Sequence, residues 1–173
     1  GSNWLVAGRL SPFRFTIFSE GGTVVASTTL FKRITAARLI DGVSERPLEH
    51  GAVLVEGSRI TRVGRAEDVG PPSGATVEEY DYPTGTILPG LIDVHCHFNY
   101  LGDGTLTDDV MSLPDDVLLM RSMLTARTHL ESGVTTARET GAKHDTTFSL
   151  REGIRLGLAK APRLVLCGNP VTI

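Results

Sequence analysis

The 173-residue chain is poor in cysteine, in long apolar runs and in surplus charge of either sign. Two cysteines, Cys96 and Cys167, are too few for a disulfide framework. They read as small buried apolar residues, and a reducing, cytoplasmic setting is the default. No apolar stretch approaches the roughly 18 residues of a spanning helix, so no membrane partner is expected. A net charge of −3 gives no basic patch for nucleic acid or an anionic membrane. Residues 3–30 mix apolar side chains with arginines and lack a basic start followed by a continuous apolar core. They do not read as a signal peptide. Gly1-Ser2 resembles a cloning scar, and residues 1–30 stand apart as an extension of unclear role, read either as an extra strand or as sequence added in cloning.

What remains is globular in composition, 40% hydrophobic and 21% charged. From residue 31 the pattern is one of short strands. Residues 32–40 lead into a turn at Asp41-Gly42. Residues 51–56 and 59–64 flank Gly57-Ser58 and form a hairpin, and residues 76–82 alternate as a further strand. Together, residues 31–86 predict a small antiparallel lobe. Residues 87–173 change character. Apolar strand-like runs at 91–94, 134–137 and 163–167 alternate with helical segments. The first helix has Ser112 as a cap, Pro114 in its first turn and Asp115 and Asp116 at its positive end. Val117, Met120, Leu124 and Leu130 supply its apolar stripe, and Gly133 terminates it. A second helix covers 147–156, with Gly157 just beyond. This βαβαβ order requires parallel strands. Residues 99–112 read as a loop at a strand's C-terminal end.

The most informative run is Leu88-Pro89-Gly90-Leu91-Ile92-Asp93-Val94-His95-Cys96-His97-Phe98. On a strand, residues two apart share a face, so His95 and His97 can converge on one metal ion, and imidazole suits zinc. Cys96 then points the other way. Asp93 falls on the face of His95 and either orients a ligand or bonds local backbone. Glu139 reads either as a carboxylate supporting the site or as a surface partner of Arg138. Asn99 and Tyr100 read as solvated loop residues, or as pocket lining. His50 and His144 read as surface residues, and His129 as a cation near a helix C-terminus.

Pro89 to His97 resembles the first barrel strand of the amidohydrolase superfamily of metal-dependent hydrolases. Glu131 to Gly141, with its Gly-Val-Thr-Thr opening, resembles the second, and Ala161 to Gly168 the third. The similarity runs over about residues 31–173 and is nearest the imidazolonepropionase-like enzymes and the Xaa-Pro or Xaa-Arg dipeptidases. It implies an α/β fold: a (β/α)₈ TIM barrel, present as about its first three βα units in residues 87–173, preceded by a β-sandwich lobe in 31–86. A complete barrel needs about 250 residues.

The resemblance implies hydrolysis of an amide or peptide C–N bond by metal-activated water. His95 and His97 would be ligands to one or two divalent ions, most simply Zn²⁺. The family's other ligands and its aspartate base come from later strands. Lys143 and Lys160 precede the third strand and do not take the family's lysine role. The implied partner is a small-molecule or dipeptide-like substrate. Alternatives are another branch of the superfamily, a cyclic amidase or deaminase, and an inactive fragment. Three parallel strands with open edges further predict a homo-oligomer or a complementing chain.

Overall fold

The computed structural model describes residues 30–169, which divide into two compact units at Pro89/Gly90. The extension expected before residue 30 lies outside the described residues.

The first unit is a four-stranded sheet of β1 (Leu30–Leu39), β2 (Leu48–Glu56), β3 (Arg59–Arg65) and β4 (Thr76–Ile87), in the order β3-β2-β1-β4. The expected hairpin is β2–β3. Gly57 turns it at φ 58°, the left-handed conformation that a two-residue turn requires. The lobe is not wholly antiparallel, however, because β4 pairs parallel with β1. The connection from β3 to β4 returns the chain in the direction of β1, which the hairpin signals could not reveal. Pro83 is tolerated in β4 because that strand lies at the sheet edge.

Each face of this sheet carries a buried cluster. Ile34, Ala36, Leu39, Val53 and Ile87 form one cluster, while Phe31, Ala52, Leu54 and Val69 form another. A register shift between Ala36 and Arg38 lets Leu39 join the face of Ile34. Arg33 fastens the segment after β3 by donating from Nε to the Val69 carbonyl at 2.7 Å and from Nη2 to the Ala66 carbonyl at 2.7 Å. Beyond β1, Asp41 organises the turn. Its Oδ1 accepts the N–H groups of Ser44 at 2.7 Å and Val43 at 2.9 Å. These bonds, with the Ser44 hydroxyl, hold the carboxyl at about 2.

The second unit is α/β as expected. Strands β5 (Leu91–Cys96), β6 (Val134–Glu139) and β7 (Arg163–Val165) pair in parallel in that order. They alternate with α1 (Thr107–Ser112), α2 (Asp115–Glu131) and α3 (Thr146–Arg155). Gly90 enters β5 against Thr135, where a Cβ would come within 2.2 Å of Oγ1. The core gathers Cys96, Phe98, Ala126, Ala137 and Leu150.

Three local expectations are corrected. Ser112 does not cap α2. It ends the separate helix α1, where its hydroxyl bonds the Asp109 carbonyl, and Pro114 is the residue at the α2 N-cap. The segment 99–112 is therefore partly helical. The buried face of α2 is also not the apolar stripe. Leu118, Ser122, Thr125 and Ala126 are buried, while Met120 and Leu124 are 61% and 55% exposed. Ser122 and Thr125 bond the carbonyls four residues back, so these small polar side chains bury at little cost. Cys167 is exposed, because β7 stops at Val165 and leaves it in irregular chain. The Gly133 terminus holds, with φ 96° one residue past the Ser132 cap.

Two outcomes are expected from urea unfolding. Leu118→Ala should cost about 2–5 kcal/mol, and Leu124→Ala less than about 0.5 kcal/mol, reversing the order that hydrophobic periodicity implies. For Asp41, the folded carboxyl titrates below its ordinary 3.8. Its stabilisation is therefore present above 3.8 and lost as pH falls through about 2. Wild type and Asp41→Ala should accordingly differ in midpoint near neutrality and converge at the acid end of the titration.

Candidate functional site

The site forms where β5 ends. The β5–β6 register advances three residues from Asp93 to Cys96 while β6 advances two, from Ala137 to Glu139, so β5 carries one extra residue there. The bulge breaks simple alternation. Cys96 points into the core beneath the helices, with Sγ donating to the Arg138 carbonyl at 3.2 Å. Burial, with the negative charges of Asp93 and Glu139 nearby, pushes its thiol up to about 12. His95 and His97 emerge together, their ring centroids 5.4 Å apart and their planes at 75°. Both line one open cleft of about 1090 Å³, along with Tyr100, Met111, Leu124, Thr128, His129 and Lys143.

His97 is held in one tautomer. Its Nδ1 lies 2.8 Å from the Gly141 carbonyl, which can only accept, so Nδ1 carries the proton. Nε2 is thereby left with its lone pair, 3.4 Å from the Thr140 hydroxyl. The Tyr100 ring stands edge-on to His97 at 5.9 Å. Behind this pair sits Glu139, fully buried. Its Oε1 accepts the Gly141 N–H at 2.7 Å and lies 3.9 Å from His97 Nδ1. Its Oε2 is buried with no hydrogen-bond partner among the described residues. Burial pushes the Glu139 carboxyl above the usual glutamate range, outweighing the opposite pulls of the Gly141 N–H and His97. A surface pair with Arg138 is thus ruled out for Glu139, since nothing solvent-borne reaches its carboxylate.

Asn99 is also fully buried, and is not a solvated loop residue. Its Nδ2 donates to Ser122 Oγ at 2.9 Å and Thr146 Oγ1 at 3.2 Å, and its Oδ1 accepts the Lys143 N–H at 2.9 Å. It joins α2, the start of α3 and the loop after β6 beneath the cleft floor. The polar positions Ser122 and Thr146 were the missed signal. Each sits where a helix face would otherwise carry an apolar residue.

Asp93 has left the face of His95. Its Oδ1 accepts the His95 N–H at 3.0 Å, and its Oδ2 lies 3.6 Å from His129 Nε2. The local-backbone reading is therefore the one realised. His129 is only partly exposed, packing edge-on to Phe98 at 5.2 Å. His50 and His144 are exposed, as expected, and His144 pairs with Asp115 at 2.9 Å. That contact lowers the Asp115 carboxyl.

The chemistry of this donor set fits a divalent metal. Two imidazoles meet in a cleft, one with its Nδ1 held by a carbonyl, and an unpaired buried carboxylate oxygen stands behind them.

Comparison with known proteins bears on the fold and the family. The family described as the amidohydrolase family matches residues 86–172. An imidazolonepropionase from Anaeromyxobacter dehalogenans is 28% identical, over 64% of this chain and 32% of its own. Among solved structures, a Xaa-Pro dipeptidase with methionine bound in its active site superimposes with a TM-score of 0.67 at 25% identity, covering 80% of this chain and 33% of that one. A prolidase complexed with N-methylphosphonate-L-proline gives 0.64 at 26%, covering 80% and 32%. The chain thus spans about a third of the length of the relatives it matches. With its matched segment running from the end of β4 through all three parallel strands, the chain belongs to the amidohydrolase family.

Proposed function

We propose that this chain supplies the first part of a metal-dependent hydrolase acting on the C–N bond of an amide or dipeptide-like substrate. In this reading β5, β6 and β7 are the first three strands of a (β/α)₈ barrel. The first unit contributes to a β-sandwich completed by other chain. The observation that carries the reading is the meeting of His95 and His97 in one cleft, with Nε2 of His97 left free by the Gly141 bond.

His95 and His97 would hold one or two divalent ions, zinc being the choice most consistent with imidazole. When bound, such an ion polarises a scissile carbonyl and acidifies water. The chain's own residues prepare for that. The Gly141 carbonyl fixes the His97 proton on Nδ1. The buried Glu139 carboxylate orients Gly141 through its N–H. Met111 and Leu124 give the cleft apolar walls, against which a substrate side chain can lie, while Tyr100 and Lys143 offer polar contacts. A zinc site of this kind takes about three protein ligands. The remaining ligands and the base would come from a further segment or another chain. Two free thiols suit a reducing compartment such as the cytoplasm.

A second reading rests on a separate observation. Leu91, Ile92 and Val94 of β5 are 50%, 67% and 73% exposed, and β5 has no strand on its outer side among the described residues. An apolar open edge recruits another strand. Alone, this chain would then be inactive and would assemble, as a homo-oligomer or with a complementing chain. A cyclic amidase or deaminase branch differs from the first reading only in residues outside this sequence.

In the longest natural form of the protein, His95→Ala and His97→Ala should each lower metal content and C–N hydrolysis at least about a hundredfold. Unchanged metal and unchanged turnover in both would refute the reading. Glu139→Gln keeps an acceptor for Gly141 but removes the charge. It should weaken metal retention by about 10–100-fold in equilibrium dialysis, while unfolding remains cooperative.

A further inference from the structure

We propose a second cation site, built from Asp93, Cys96 and His129 on the helix-facing side of β5 and separate from the His95/His97 pair. It would take a zinc-like divalent ion through one carboxylate oxygen, one thiolate and one imidazole nitrogen. Its basis is geometric and does not depend on the hydrolase reading.

The ligating atoms of these three residues all lie within 4.8 Å of one another. Zn–N and Zn–O distances of about 2.0–2.1 Å and a Zn–S distance of about 2.3 Å imply tetrahedral edges of roughly 3.3–3.6 Å. Closing the site therefore requires contraction of up to about 1.5 Å, within the reach of side-chain rotation. The bulge in β5 makes the cluster possible. Asp93 and Cys96, three residues apart, would face opposite sides of a regular strand, and the extra residue brings them to one side.

Two of the three donors, His129 and Asp93, are also held in place for a ligand role, while the buried Cys96 thiol gives up its proton only to the cation itself. His129 Nδ1 lies 2.9 Å from the Thr125 carbonyl, so it carries the proton and Nε2 presents its lone pair. That Nε2 stands 3.6 Å from Asp93 Oδ2. The other Asp93 oxygen is fixed by the His95 N–H, which orients the carboxylate toward His129. A carbonyl-bonded imidazole and a backbone-held carboxylate are the outer supports that metal ligands receive. On ligation the Cys96 proton leaves to solvent, and Sγ exchanges its bond to the Arg138 carbonyl for the cation. Cys96 and His129 both border the open cleft, so an ion has a route in and water can fill the fourth position. Thiolate with imidazole selects zinc-like ions over magnesium or calcium.

The test titrates the 173-residue chain with cobalt(II) as a spectroscopic substitute for zinc. Expected is a near-ultraviolet thiolate-to-cobalt charge-transfer band. It should persist in Cys167→Ser and in the double variant His95→Ala/His97→Ala, and vanish in Cys96→Ser. His129→Gln and Asp93→Asn should each weaken the cobalt titration by more than about tenfold. These two decide the matter if Cys96→Ser loses its native circular dichroism. Absence of the band in the wild type overturns the proposal. So does a band that disappears only with Cys167→Ser, one lost in the double histidine variant, or titrations unmoved by His129→Gln and Asp93→Asn. A double histidine variant that keeps the band but loses a second, thiolate-free equivalent separates this site from the hydrolytic one.

Discussion

A buried carboxylate needs donors, and in this chain that need organises the end of the sheet. Glu139 has no access to water, and its Oε1 is met by the N–H of Gly141. The same residue's carbonyl then accepts the proton of His97. Gly141 thus faces the carboxylate through its N–H and the imidazole through its carbonyl, on two successive peptide units. The two bonds together fix the orientation of Gly141 between Glu139 and His97. Thr140 completes the junction by bonding the Cys96 carbonyl through its own N–H at 3.0 Å. The ends of β5 and β6 are therefore locked at the point where the histidines emerge. An apolar residue at 139 would pack, but it would leave the Gly141 peptide free to turn and His97 free to choose its tautomer. The cost of desolvating the carboxylate is borne where orientation matters most.

The bulge in β5 gives the strand two chemistries. Without it, Asp93, His95 and His97 would share one face and Cys96 would stand alone on the other. With it, the histidines keep the cleft while Asp93 swings to join Cys96 and His129. The two groups are coupled through one hydrogen bond, from the His95 N–H to Asp93 Oδ1. A bulge beside a functional strand end re-aims side chains without changing the sheet.

The H-x-H pair, the parallel βαβαβ order and the hairpin at Gly57-Ser58 were legible because each rests on short-range pattern: period two, alternating element types, a turn residue. The parallel β1–β4 pairing was not, since it joins segments some 45 residues apart through a connection with no signature of its own. Asp93 was misplaced on the face of His95 because sequence periodicity contains no bulge. The buried states of Glu139 and Asn99 were hidden for a different reason. Each looks like a surface residue until its donors are known, and those donors, Gly141, Ser122 and Lys143, are brought by other elements. Met120 and Leu124 misled in the opposite direction: apolar at helical spacing, yet facing outward.

That inversion on α2 follows from what lies beneath the cleft. The face turned inward must meet Asn99 and the Tyr100 carbonyl, which Thr125 Oγ1 bonds at 3.1 Å, and so it needs small hydroxyl side chains in place of leucines. Ser122 and Thr125 satisfy both demands, bonding back along the helix and across to the loop after β5. A leucine at 122 would overfill this fully buried position and remove one of the two acceptors of the Asn99 amide, at a cost of about 1–3 kcal/mol. The polar layer is thus the support on which Phe98, Asn99 and Tyr100 hold their course away from His97. On α2 and α3 the buried apolar side chains flank this layer, Leu118 and Ala126 on α2 and Leu150 on α3. The chain gives up a continuous hydrophobic helix face, and with it a readable periodicity, in order to fix the loop that carries the cleft.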